Sequence, residues 1–275
     1  MNKKNIILAA AAGDYPKVLD VCSTHGLSEA YLCYGITRTG NLRRDRVPAF
    51  VRGGVMVLSD TFGGTSCGAF DAERLAGEII AEVSYRGFFG VLADFESVIT
   101  PSLIGLIHVL DRELSRLHCT LFVNSRYISE TEHAVMLITS QVTGGSYSIY
   151  LSELCDRWGA SRLALEVIPI CMDFPLPAAS AGGRILSPDE LSVLLDRTAP
   201  MPFYSAELAA RYFTYTGDDR RTHFVLYDDA RTIATKLLTA HTVGIRHAFL
   251  LYKELEAFLD EMFEAVEESM LPMEA

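Results

Sequence analysis

The stretch "YRGFFGVLADFESV", residues 85–98, is an apolar run that closes on two carboxylates, Asp94 and Glu96. From Phe88 to Ala93 no polar residue interrupts it, the pattern of a strand covered on both faces, as in a parallel sheet flanked by helices. It is preceded by the helical pattern "DAERLAGEIIAEVSYRG" and followed by another, "SLIGLIHVLDRELSRLH". Strand alternation places Gly90, Leu92, Asp94 and Glu96 on one face and Val91, Ala93 and Phe95 on the other. The second set is uniformly apolar and suits contact with helices, so the acids are expected to point the opposite way.

The same alternation of apolar run and helix repeats in both directions. "NIILAAAA" precedes "YPKVLDVCSTHG", "GVMVLSD" precedes the helix before the quoted strand, and "CTLFVNS", "AVMLITS" and "RLALEVIPICMDF" follow it. Towards the end come a hairpin pattern, "RYFTYTGDDRRTHFVLY", the helix "DDARTIATKLLTAHTVG" and the run "RHAFLLY". About eight units of strand then helix in this length predict an α/β fold, a single (β/α)8 TIM barrel. The barrel is expected to span residues 1–275 as one domain, with an acidic amphipathic helix at about 253–271. A doubly wound open sheet is the second choice, without dinucleotide binding, because "FGGTSCG" lacks the G-x-G-x-x-G spacing.

Composition narrows the partners. The 275 residues carry a formal net charge of −11, and 49% are hydrophobic. The one basic cluster, "RRDR" at 43–46, is too short for a nucleic-acid or anionic-membrane surface. Cys22, Cys33, Cys67, Cys119, Cys155 and Cys171 show no C-x-x-C spacing and read as reduced thiols rather than zinc ligands. The seven histidines show no metal-ligand spacing either, so no metal or organic cofactor is expected. The start "MNKKNIILAAAAGD" has a short apolar run met at once by Asp14; a first core strand and a cytoplasmic protein are expected rather than a signal peptide.

In a barrel, functional side chains sit at the carboxyl ends of the strands. Asp94 and Glu96 therefore read either as a catalytic pair or as structural acids, Glu96 capping the next helix and Asp94 meeting an arginine.

The stretch "GFFGVLADFE" resembles the fourth-strand signature of glycoside hydrolase family 18, the chitinase-like hydrolases: Gly87, Gly90, Asp94, Phe95 and Glu96 match it. Its Asp-Phe-Glu ending is closest to the spore-cortex and peptidoglycan hydrolases. Further echoes follow in order along the chain. "YLCYGITRTGNL" is similar to the second-strand segment, "VMVLSDTFGG" to the third and "IPICMDFPLP" to the seventh; "VLYDDARTIATKLLTAHTVGIRHAFLL" resembles the closing segment. The resemblance implies hydrolysis of β-linked glycans containing N-acetylglucosamine, with the substrate's own acetamide as nucleophile. Glu96 would be the acid and then the base, and Asp94 would hold the acetamide N–H. Repulsion between the two carboxylates would help keep Glu96 protonated. The implied partner is a peptidoglycan- or chitin-type oligosaccharide or polysaccharide.

Four positions depart from the family pattern. Phe89 and Leu92 replace two further acids, Ser140 stands for a tyrosine with Gln141 after it, and Leu251 stands for a tryptophan. Loss of one preorganised donor costs on the order of 3 kcal/mol of transition-state stabilisation. Ser140, Gln141, Asp173, Phe174, Tyr34 and Asn124 are the expected substrate contacts, with Phe62 a further aromatic. The departures leave a second reading open, a catalytically impaired relative that binds carbohydrate. A third, an aldolase- or amidohydrolase-like barrel with Glu96 as base, lacks the lysine or histidine cluster those chemistries use.

Overall fold

In chain order the computed structural model has strands β1 (Ile6–Ala10), β2 (Ser28–Ile36), β3 (Leu42–Arg44), β4 (Val55–Ser59), β5 (Gly90–Asp94), β6 (Thr120–Val123), β7 (Val135–Thr139), β8 (Leu163–Val167), β9 (Cys171–Pro175), β10 (Arg184–Ile185), β11 (Phe203–Ser205), β12 (Ala210–Thr216), β13 (Thr222–Tyr227) and β14 (His247–Leu251). Its helices are α1 (Tyr15–His25), α2 (Ala72–Arg86), α3 (Pro101–Arg116), α4 (Tyr147–Trp158), α5 (Pro188–Thr198), α6 (Ala230–Thr242), α7 (Tyr252–Leu255) and α8 (Leu259–Met270). The structure describes residues 2–61, 67–177 and 183–270, so Phe62 lies outside the described residues. None of the described helices is long and apolar enough to cross a membrane.

The chain divides into two units, the first comprising Met1–Ile138, Cys155–Glu166 and Gly244–Lys253, the second Thr139–Leu154, Val167–Val243 and Glu254–Ala275. The larger sheet runs β1-β14-β8-β7-β6-β5-β4-β2-β3, and a further pairing of β1 with β2 closes it. Eight parallel strands thus form a barrel with flanking helices, the expected TIM fold, and β3 is an antiparallel addition on β2. Inside the barrel, Ile7, Val55, Val57, Phe122, Ala164 and Phe249 belong to one buried cluster, with Leu92 and Leu137 packed against it. Leu92 therefore faces the interior, and strand periodicity carries Asp94 to the same side at the carboxyl end.

Local chemistry delivers β5 to its place. Asp71 caps α2 through its side chain, which accepts from Arg74 N. Gly87 ends the helix with φ 68°, a left-handed conformation that a side chain would strain. At Gly90, a Cβ would lie 2.9 Å from the Thr120 carbonyl and 3.0 Å from the Phe122 ring, so only glycine allows β6 this close. Thr100 caps α3, whose buried face carries Leu103, Leu106, Ile107 and Leu110.

The second unit contains an antiparallel sheet ordered β10-β9-β13-β12-β11. The hairpin read at residues 211–227 is present as β12 and β13. The resemblance-based seventh strand differs in position: barrel strand seven is Leu163–Val167, whereas Cys171–Pro175 pairs antiparallel with β13. Pro169, which has no N–H to donate to a ladder, lies between the two. Asp229 caps α6, its carboxylate accepting from Thr232 N at 2.8 Å. Its neighbour Asp228 is fully buried as an ion pair with Lys236, Nζ to Oδ2 2.7 Å. The helix expected at 253–271 is a short turn, α7, followed by α8, which buries Met262, Phe263 and Val266.

Candidate active site

Asp94 is the last residue of β5, level with Ser59 of β4 in the parallel register. Glu96 follows two residues later, beyond the strand, with an exposed side chain. Phe95 between them turns the other way and is fully buried, edge-on to Tyr127 at 5.8 Å. One carboxylate is thus half-buried at the barrel mouth and the other reaches solvent.

The backbone carrying Glu96 is held from both sides. Asp60, fully buried just past β4, accepts from Glu96 N at 2.9 Å and Ser97 N at 3.1 Å, and its carboxylate also takes the Ser97 hydroxyl. Opposite, the Phe95 carbonyl accepts from Asn124 Nδ2 at 2.8 Å and from Arg126 Nη2 at 2.6 Å, and the Ser97 carbonyl accepts from Arg126 at 2.9 Å. Charge-assisted bonds of this kind are the stronger class of hydrogen bond. They fix where Glu96 starts while leaving its carboxylate unspent.

The electrostatics single out Asp94. Burial, and then the negative charges of Glu96 and Asp60, push its carboxyl up from 3.8 to about 6. A third acid, Glu166 near the end of β8, shares the neighbourhood: its carboxyl is also pushed up, first by burial and then by Asp94 and Glu96.

A carboxyl whose folded value is raised binds its proton more tightly when folded, so ionising it at pH 7 destabilises the fold. Asp94→Asn should raise unfolding free energy at pH 7 by about 2–3 kcal/mol, at 1.36 kcal/mol per unit. The advantage should shrink as pH falls from 6 and vanish below about 4, where Asp94 is protonated in both states. Urea denaturation at pH 7 and pH 4 measures the difference.

Asn124 joins the acids through the Phe95 carbonyl, as a brace for their loop. Tyr34 is not brought to them: it is buried, and its hydroxyl donates to Glu82 of α2 at 3.1 Å. Ser140 is fully buried just past β7, exchanging hydrogen bonds with Ile168, and Gln141 donates to the Pro169 carbonyl at 3.0 Å. Asp173 lies on β9, accepting from Tyr215 Oη at 2.9 Å and standing 2.9 Å from His223 Nδ1. Phe174 is half-buried, 6.3 Å from the Phe224 ring. Leu251 shares the alternation of interior Phe249 and is 38% exposed, whereas Tyr252 is buried. Phe89 is exposed ahead of β5, while Leu92 packs on the interior cluster.

Asp60, Arg126 and Glu166 were not singled out from sequence. Asp60 and Glu166 carried a faint signal, each a lone acid at the end of an apolar run, "VMVLSD" and "LALEV". Arg126 carried none, because its role depends on how a loop turns back.

Comparison with solved structures agrees with this architecture. A chitinase from Chromobacterium violaceum ATCC 12472 is similar with TM-score 0.67 and 18% identity, covering 97% of this chain and 99% of that one. The spore cortex-lytic enzyme SleL of Bacillus megaterium QM B1551 gives 0.65 and 15% identity, over 96% of this chain and 73% of the other. A family-18 chitinase mutant from Cycas revoluta, solved in complex with (GlcNAc)4, gives 0.61 and 12%, over 95% and 99%. The chain has the chitinase-like fold of glycoside hydrolase family 18. No protein-family profile matches it, and no curated protein matches it by sequence.

Proposed function

We propose that this chain is a glycoside hydrolase acting on β-linked glycans that contain N-acetylglucosamine, of the peptidoglycan or chitin type. The observation that carries the reading is the pair at the end of β5: Asp94, inward with its carboxyl raised to about 6, two residues before an exposed Glu96. The fold shared with chitinases, one of them solved with (GlcNAc)4, supports the substrate class.

Glu96 gives its proton to the glycosidic oxygen as the bond to the anomeric carbon breaks. The acetamide carbonyl oxygen of the same sugar attacks that carbon, forming an oxazolinium ring. Ionised Asp94 accepts the acetamide N–H and offsets the ring's positive charge. The departed aglycone leaves room for water, whose proton Glu96 takes back as the hydroxyl adds to the anomeric carbon and the ring opens. Two displacements at one carbon retain the β configuration. The clamps from Asp60, Asn124 and Arg126 support this chemistry by holding the Glu96 backbone before substrate arrives, so little reorganisation is left for the transition state.

The test is incubation with chitooligosaccharides and with muropeptides, reading products by mass and by the anomer first formed. Cleavage giving the β anomer supports the proposal. Binding without cleavage across both panels overturns it in favour of a carbohydrate-binding relative, a reading favoured by Ser140's hydroxyl being committed to Ile168.

A further inference from the structure

β8 brings a charge into the barrel that the pair at the end of β5 must work against. Ala164 lies in the interior cluster, so Glu166, two residues further on, projects to the same side at the carboxyl end. It reaches there across the barrel from Asp94, which stands in the same relation to Leu92 on β5. Glu166 is half-buried, and among the described residues it has no ion pair and no hydrogen-bond donor on its carboxylate. An acid held in a barrel without a partner is costly as a structural element, and such groups gather where their proton is used.

The other groups facing Asp94 leave Glu166 a distinct part. From its own segment comes Glu96, from the end of β4 come Ser59 and the buried Asp60, and from the end of β6 comes Asn124. Asp60 is spent on the backbone of Glu96 and Ser97, and Arg126 on the Phe95 and Ser97 carbonyls. Neither Asp94 nor Glu166 forms an ion pair with a described residue. At Leu92, where the resemblance expects an inward acid on β5, there is only hydrocarbon.

We propose that Glu166 is a positioning residue of this site, whose charge is coupled to that of Asp94 and so tunes the pH at which the pair works, supplying from β8 the inward acid that Leu92 lacks on β5. The inference rests on the hydrolase reading for its purpose, but its electrostatic content stands apart from turnover. The coupling is seen from the Glu166 side, where after burial Asp94 and Glu96 both push its carboxyl up; the charges that push Asp94 up are Glu96 and Asp60, and the repulsion between two carboxylates acts on both.

Carboxyl-carbon NMR titration of the full chain tests it without any substrate. Coupled acids titrate as a set, so neutralising one lowers the apparent midpoint of the other. Glu166→Gln should lower the Asp94 midpoint by about half to one pH unit, and Asp94→Asn should lower the Glu166 midpoint to a similar extent. Glu166→Asp should leave Asp94 near its original midpoint. Where oligosaccharide is cleaved, the kcat/KM profile of Glu166→Gln should move to lower pH by the same amount, a change that mere loss of packing does not produce. An Asp94 midpoint unmoved in Glu166→Gln overturns the inference; should that variant not fold, an unmoved Glu166 midpoint in Asp94→Asn does so. Absence of any hydrolysis would defeat the hydrolase reading and leave these titrations to decide Glu166 by themselves.

Discussion

Glu96→Gln is expected to lower turnover of a cleaved N-acetylglucosamine oligomer by about 10²–10⁴-fold, the contribution of a positioned general acid. Glutamine keeps the shape but has no proton to give to the leaving oxygen and cannot take one from water, so both displacements suffer. Folding should be untouched. The bonds that hold this loop run to the backbone of Phe95, Glu96 and Ser97, not to the Glu96 carboxylate, which is exposed. A surface change of this kind costs no more than about 0.5 kcal/mol. Matched melting temperatures with collapsed kcat are the expected pair of results; retained kcat would remove Glu96 from the chemistry.

Lys236→Met is expected to cost about 3–5 kcal/mol of stability, the usual effect of stranding one member of a buried ion pair. Both side chains are fully buried, and Lys236 Nζ lies 2.7 Å from Asp228 Oδ2. Burial pushes the Asp228 carboxyl up and pulls the Lys236 amine down, and each partner opposes the shift of the other. Asp228 also accepts from Ile170 N at 2.8 Å and Thr232 Oγ1 at 2.9 Å, tying the chain ahead of β9 to α6. Without the lysine, those donors face a carboxylate whose remaining charge is uncompensated. Urea denaturation should show the full loss for Lys236→Met and partial recovery when Asp228→Asn is added. A loss under about 1 kcal/mol would mean that the pair is neutral or solvated.

The barrel was legible because its signals are local. Unalternated apolar runs between helical patterns announced the strands, and Gly87, Thr100 and Asp229 mark helix ends by chemistry that neighbouring residues reveal. The inward side of Asp94 followed from period-two alternation alone. The insertion after β8 was harder, since "RLALEVIPICMDF" reads as one apolar run and its division turns on Pro169 and on pairing with β13, whose partners lie 48 to 56 positions further along, from Pro175↔His223 to Cys171↔Tyr227. The supporting parts of the site were hidden for the same reason. Asp60 reaches Glu96 across 36 positions and Arg126 reaches Phe95 across 31, contacts that periodicity does not encode. Tyr34 illustrates the converse: an aromatic beside a turn looks like a sugar platform in sequence, but its strand face turns it towards Glu82 of α2.

The claim on which the account turns is that a sugar's acetamide meets Asp94 while its glycosidic oxygen meets residue 96. A crystal structure of the Glu96→Gln variant soaked with an N-acetylglucosamine tetramer tests it most directly. A sugar is expected at the end of β5, with its acetamide nitrogen within hydrogen-bond distance of the Asp94 carboxylate and its scissile oxygen within reach of the glutamine amide in the Glu96→Gln variant. An oligomer bound away from Asp94, or seated there with its acetamide turned towards solvent, would contradict it.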